Sequence, residues 1–178
     1  MVEASIAEME AHLAQSDTES CSQRVARFRV VSRVFAFAED GIGLWGGSSS
    51  AQSFAEMRFA YMDGLFLATI LLAVACLEQE LAGMLHASGD DSAANAKFTD
   101  LIRKSEELNL IDAAMVEELD KLRVIRNSYT HFRTLKHPQN WAMRSIAQEA
   151  DHTDVLESDA LQIMEVLASF MRSRHGSN

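Results

Sequence analysis

Arg126, Asn127 and His131 carry the side chains of this sequence best suited to acting on a phosphodiester. A guanidinium keeps its charge at any physiological pH and can hold a phosphate through two parallel hydrogen bonds. It also stabilises charge that builds on phosphoryl oxygens in a transition state. An imidazole titrates near neutrality, so it can take a proton from a ribose 2′-hydroxyl or give one to the leaving oxygen. Asn127 offers a carboxamide that can orient either group. Chemistry of this kind requires no metal.

An Arg-x4-His spacing alone is common; the position of the arginine is more telling. On an ideal helix, with successive residues about 100° apart, Arg126 falls within the arc of Met115, Leu119, Leu122 and Tyr129. A charge in an apolar arc must be paired or must face a polar cleft. His131 lies about 140° away on the same wheel and shares a face with Asn127. Two readings are therefore open. In one, Arg126 and His131 form a catalytic pair, which needs the arginine to curl round the helix or a second copy to close the cleft. In the other, Arg126 is a structural ion paired with Glu78 or Glu80, and His131 is a cap whose charge suits the helix C-terminus.

Composition bounds the setting. The 178 residues suggest one domain spanning 1–178, with a core over about 20–174. A single Pro and eight Gly argue against an all-β protein. Cys21 and Cys76 make neither a disulfide framework nor a Cys-rich zinc site, and free thiols suit the cytoplasm. The N-terminus is acidic and amphipathic, unlike a signal peptide. The apolar run Leu65 to Leu77 covers 13 residues, too few to span a bilayer, so no membrane partner is expected. Net charge is −10, which disfavours nonspecific nucleic-acid binding. Yet ten of the 16 basic residues lie in two acid-free windows, 20–38 and 121–148. Such windows predict either a local basic surface or arginines paired with acids from other helices.

The elements that must position these residues read as helices throughout. Periodicity predicts helices over Val2 to Ala14 and about Ser22 to Glu39, then a flexible Gly-rich loop over 40–52. Ser53 with Glu56 reads as a capping box opening a long, nearly all-apolar central helix to about His86. A turn at Ser88 to Ser92 precedes a helix with Phe98, Leu101, Ile102, Ser105 and Leu108 on one face. Asp112 caps the next helix, which runs to about Phe132, and Pro138 enforces a break. A short helix over Trp141 to Ala150 and a last one carrying Leu161, Met164, Leu167 and Met171 complete the chain. Short connections imply an all-α, up-and-down antiparallel bundle of four to five main helices plus short extra ones.

The stretch Leu119-Asp-Lys-Leu-Arg-Val-Ile-Arg-Asn-Ser-Tyr-Thr-His131 resembles the HEPN superfamily, whose pattern is Arg-polar-x(3–5)-His. Phe98 to Lys104, Leu108 to Ile111 and the helix ending Cys76 to Leu81 resemble the elements around that motif. The resemblance implies a helical bundle that dimerises, with two motifs lining a shared cleft. It implies a metal-independent endoribonuclease leaving 2′,3′-cyclic phosphate ends, acting as a toxin or in anti-phage defence, and using no cofactor. Arg126 and His131 would be catalytic, Asn127 supporting, and Glu78 an added acid from the central helix. RNA would be the substrate, and an antitoxin or nucleotidyltransferase a partner. One toxin branch carries a Tyr two residues after the His, where a nucleotidyltransferase modifies it; this chain has Arg133 there. Some members are noncatalytic scaffolds, which keeps the structural reading of Arg126 open.

Other candidates are weaker. His12, His86, His137, His152 and His175 form no metal-binding spacing. Ser48 to Ser50 lack a nucleophile elbow. Cys76 reads as a small core residue. Trp45 and Trp141 read as lids over the core, although either ring could stack a base.

Overall fold

The computed structural model describes residues 5–38 and 42–175. They form seven α-helices: α1 (Ile6–Val34), α2 (Gly47–Met62), α3 (Phe66–Ala87), α4 (Phe98–Glu107), α5 (Ala113–Thr130), α6 (Trp141–Gln148) and α7 (His152–His175). Two short 3-10 turns, Ala36–Ala38 and Asp91–Asn95, lie between them, and no strand occurs among the described residues. The all-α helical bundle expected from periodicity is the fold.

α3 is the central helix. It is apolar on nearly all sides because α2, α4, α5 and α7 all pack against it. Ile70, Ala73, Cys76, Leu77, Leu81 and Leu85 have no exposed surface. By length and composition α3 would also pass for a membrane span. Packing inside the bundle accounts for half of that span, while Leu67 and Leu71 remain 44% and 40% exposed. Burial raises the Cys76 thiol pKa to about 11. The thiol therefore stays neutral at physiological pH.

Several element boundaries differ from the expectations; α1 ends at Val34 and α6 at Gln148, short of the expected Glu39 and Ala150. First, α1 is one continuous helix, with no break between residues 14 and 22. It starts one turn later than Val2, with Ser5 and Glu8 forming a reciprocal capping box. Met1 to Ala4, and Glu39 of the second expected helix, lie outside the described residues.

Second, the expected helix from Ser53 to His86 is two helices. α2 stops at a Schellman turn: Leu65 N–H donates to the Ala60 carbonyl at 2.8 Å and Gly64 N–H to the Tyr61 carbonyl at 3.1 Å. Gly64 takes φ +77°, which a side chain would strain.

Third, α2 begins at Gly47, inside the expected flexible loop, so Ser53 is helix interior rather than a cap. No local side chain caps this end. Glu80 of α3 does so from across the bundle. Its carboxylate accepts from Trp45 N at 3.1 Å, Gly46 N at 2.9 Å and Ser50 Oγ at 2.6 Å. Glu80 is 2% exposed, and a buried carboxylate is tolerable when its lone pairs are filled this way.

Gly83, one turn on from Glu80, lets the 45–46 backbone come this close. A Cβ there would lie 2.3 Å from the Trp45 carbonyl oxygen. Gly83→Ala is therefore expected to destabilise by about 1–3 kcal/mol through overpacking. A thermal melt checks this; an unchanged midpoint would mean that the segment is not seated against α3.

Fourth, α5 ends at Thr130, two residues before the expected end. This matters for the site.

Candidate functional site

α5 is fixed at its start by Asp112, whose carboxylate accepts from Met115 N at 2.8 Å. It is fixed along one side by Leu119 and Leu122, both fully buried. Arg126 and Asn127 therefore sit in its last turns. His131 is the C-cap, with extended backbone (φ −121°, ψ 138°). His131 N–H still bonds the Asn127 carbonyl at 3.3 Å, and its side chain diverges from Arg126 as the wheel predicts.

Arg126 faces a cavity of about 340 Å³. Its Nη2 donates to Glu78 Oε1 at 2.8 Å, and its Nη1 to Asn127 Oδ1 at 3.4 Å. The Arg126 and Glu78 side chains keep 25% and 35% of their surface, so the pair is wet rather than sealed. Of the two carboxylates expected to compete for Arg126, Glu78 holds it, while Glu80 is occupied at α2.

Lys97, Thr99 and Arg123 also line this cavity. Arg123 bonds Asp120 at 3.0 Å, a surface pair. Lys97 is the N-cap of α4 and gives no side-chain bond to the helix start. The α4 N-terminus thus adds a partial positive charge and free backbone N–H groups to the same wall. Lys97 and the helix N-terminus stand beside two arginines that are each paired with one carboxylate, Arg126 with Glu78 and Arg123 with Asp120, an arrangement that leaves net positive charge for an anion such as phosphate.

Arg126, Asn127 and Glu78 are brought together, which both readings of Arg126 allow. His131 is not: it is exposed and does not line the cavity. Lys97, Thr99 and the α4 N-terminus escaped sequence reasoning, because their partner is about 30 residues away in the chain. An N-terminal helix position lacking Ser, Thr, Asp or Asn was the only local signal.

The acid-free window of 121–148 is not a bare basic surface. Lys121, Arg123, Arg126 and Arg144 all pair with acids, two of them from other helices. Arg133 and Lys136 make no ion pair among the described residues. They lie in the 131–140 connection beside Phe132 and Leu135, both strongly exposed.

Tyr129 does more than pack. Its hydroxyl donates to Asp159 Oδ2 at 2.7 Å, and Arg144 makes two 2.7 Å bonds to the same carboxylate. Burial, reinforced by Asp159, raises the Tyr129 pKa well above the usual phenol value. Ser145 bonds His152 Nδ1 at 2.6 Å, but Ser145 is buried and His152 packs on Trp141. This pair locks α6 onto α7 and presents no nucleophile. Trp141 packs against the rings of Tyr129 and His152 rather than over the core, and Trp45 is half exposed with Arg174 over its ring.

Among the described residues no group of three or more His, Cys, Asp or Glu is placed to hold a metal ion. No protein-family model, curated protein sequence or solved structure matches the chain.

Proposed function

We propose that this chain is a metal-independent endoribonuclease of the HEPN type, acting in the cytoplasm as a toxin or anti-phage defence component. The observation that supports it is the convergence of Arg126, Arg123, Lys97 and the α4 N-terminus on one solvent-open cavity. An RNA phosphate seated there accepts from Arg126 and the free N–H groups of α4. Asn127 holds the guanidinium from one side and Glu78 from the other. The ribose 2′-oxygen attacks phosphorus, the bond to the 5′-oxygen breaks, and a 2′,3′-cyclic phosphate remains. His131 takes the 2′-hydroxyl proton or supplies one to the 5′-oxygen. Its exposed position at the end of α5 suits a second copy of the chain closing the cleft.

A second reading is favoured by one observation, the 2.8 Å Glu78–Arg126 pair. In that reading the chain is a noncatalytic helical interaction module. Incubating purified protein with RNA in EDTA separates the two. Cleavage with cyclic phosphate ends is expected from wild type and none from an Arg126→Ala/His131→Ala double variant. Equal RNA degradation by the two proteins would sink the catalytic reading.

A further inference from the structure

We propose that the cavity around Arg174 is a binding site for a small aromatic monocarboxylate, whose carboxylate bonds the Arg174 guanidinium while its ring lies against Trp45. The site shares no residue with the Arg126 cavity and goes beyond the ribonuclease reading.

Arg174, near the end of α7, is a partly buried cation without an acid. Arg27, Lys104, Arg126 and Arg144, also partly buried, each hold a carboxylate. Arg174 makes no ion pair among the described residues, and its hydrogen-bond acceptor is the Met84 thioether sulfur, a weak one. Its other neighbours are the rings of Phe170 and Trp45, with centroids 5.2 and 5.6 Å from the guanidinium carbon. Ring faces attract the charge but do not take the two parallel hydrogen bonds that a carboxylate accepts. Burial pulls the Arg174 pKa below the usual guanidinium range, and Glu80 only partly opposes that shift. A desolvated charge without its natural partner points to a function rather than to stability.

A ligand has room here. Ile42, Leu44, Trp45 and Met171 line a hollow of about 460 Å³ together with Glu80 and Arg174. A second hollow of about 580 Å³ shares Trp45 and Arg174 and reaches Asn109 and Asp112. Small-molecule sites span roughly 300–1,000 Å³. Glu80 pins the Trp45 backbone by accepting from its N–H at 3.1 Å, yet the Trp45 side chain stays 55% exposed. Trp45 thus offers a preorganised ring on which an aromatic ligand can stack or pack edge-on.

Charge narrows the ligand. The two acids of these linings are both committed to helix starts, Glu80 to α2 and Asp112 to α5. Among the described residues that line the hollows, Arg174 is the single cation. A dianion such as phosphate would face both acids with one cation to offset it. A monocarboxylate matches that single charge and the planar fork of the guanidinium. The apolar lining then takes the ring.

Isothermal titration calorimetry with 2-naphthoate and indole-3-acetate tests the site. Both are expected to bind wild type with a Kd at or below about 100 µM. The neutral isostere 2-naphthamide should bind at least about tenfold more weakly, because it cannot pair the charge. Arg174→Met should weaken 2-naphthoate by about thirtyfold or more, and Trp45→Ala by about fivefold. Without ligand, Arg174→Met should melt at or above the wild-type midpoint, since it replaces a desolvated charge by an apolar side chain of similar length. Arg126→Ala should bind 2-naphthoate as wild type does. Absence of binding by both acids, equal affinity for 2-naphthamide, or undiminished binding by Arg174→Met would each overturn the proposal. Loss of binding in Arg126→Ala would also overturn it, by moving the ligand to the other cavity. So would a ligand-free Arg174→Met melt far below wild type, which would place an acid of this chain on the guanidinium. None of these readouts requires RNA cleavage, so this site and the ribonuclease reading stand or fall separately.

Discussion

Arg126→Ala is expected to slow RNA cleavage by about 100- to 1,000-fold, the loss seen when a donor to transition-state charge is removed. The fold should survive. Glu78 and Arg126 both keep contact with water, so breaking the pair costs no more than about 1 kcal/mol. Arg126→Lys separates charge from geometry. A lysine keeps the charge but loses the planar fork, so most of the activity loss should persist. His131→Ala should slow cleavage by about 100- to 10,000-fold with an unchanged melt, because His131 is exposed at the helix cap. Single-turnover cleavage and thermal melts on the same preparations measure both effects. If Arg126→Ala lowered the melting point sharply and left cleavage untouched, the scaffold reading would replace the catalytic one.

Asp159→Ala carries the largest expected stability loss. Its side chain is 5% exposed and receives three bonds of 2.7 Å, two from Arg144 and one from Tyr129. These join α5, α6 and α7 at one carboxylate. Removing it strands a guanidinium and a phenol in a poorly solvated pocket. Breaking a buried pair from one side costs about 3–5 kcal/mol. For a chain of this size that is roughly a 10–15 °C fall in Tm. Tyr129→Phe should cost only about 1 kcal/mol, since it removes one hydrogen bond and leaves the ion pair. Differential scanning calorimetry on the two variants orders the contributions. A larger loss from Tyr129→Phe than from Asp159→Ala would show that the Tyr129 hydroxyl, not the Arg144–Asp159 ion pair, holds these helices.

Features set by local chemistry could be read in the sequence. The apolar run around Ile70 to Leu77 announced α3 because a helix packed on all sides needs apolar residues on all sides. Asp112 announced the start of α5, and Pro138 the break after it. Arg126 stood out as a charge in an apolar arc, and it does have a carboxylate partner. Features that depend on contacts between distant residues were not legible. Periodicity placed two helices on either side of residues 15–21, yet α1 runs through them. Asp63-Gly64 sat inside an apolar pattern that hid a helix end. The Gly-Ser run at 46–50 looked like a linker because its cap, Glu80, lies on another helix. The α4 N-terminus joined the Arg126 cavity through tertiary packing alone. His131, by contrast, was expected to lie about 140° from Arg126, and it is indeed exposed and outside the Arg126 cavity.

Glu80 also bears on the order of folding. A helix that owes its first turn to a carboxylate on its neighbour cannot complete that turn before the neighbour arrives. The first turn of α2 therefore forms together with the α2–α3 hairpin, across a separation of 30 to 35 residues. Contacts at that range are cheap in loop-closure entropy, and helical hairpins of this kind assemble fast. The hairpin is thus the natural nucleus of the bundle, with α4, α5 and α7 condensing on α3 afterwards. Substitutions at Glu80 or Gly83 should then slow folding, whereas loss of Asp159 should mainly speed unfolding.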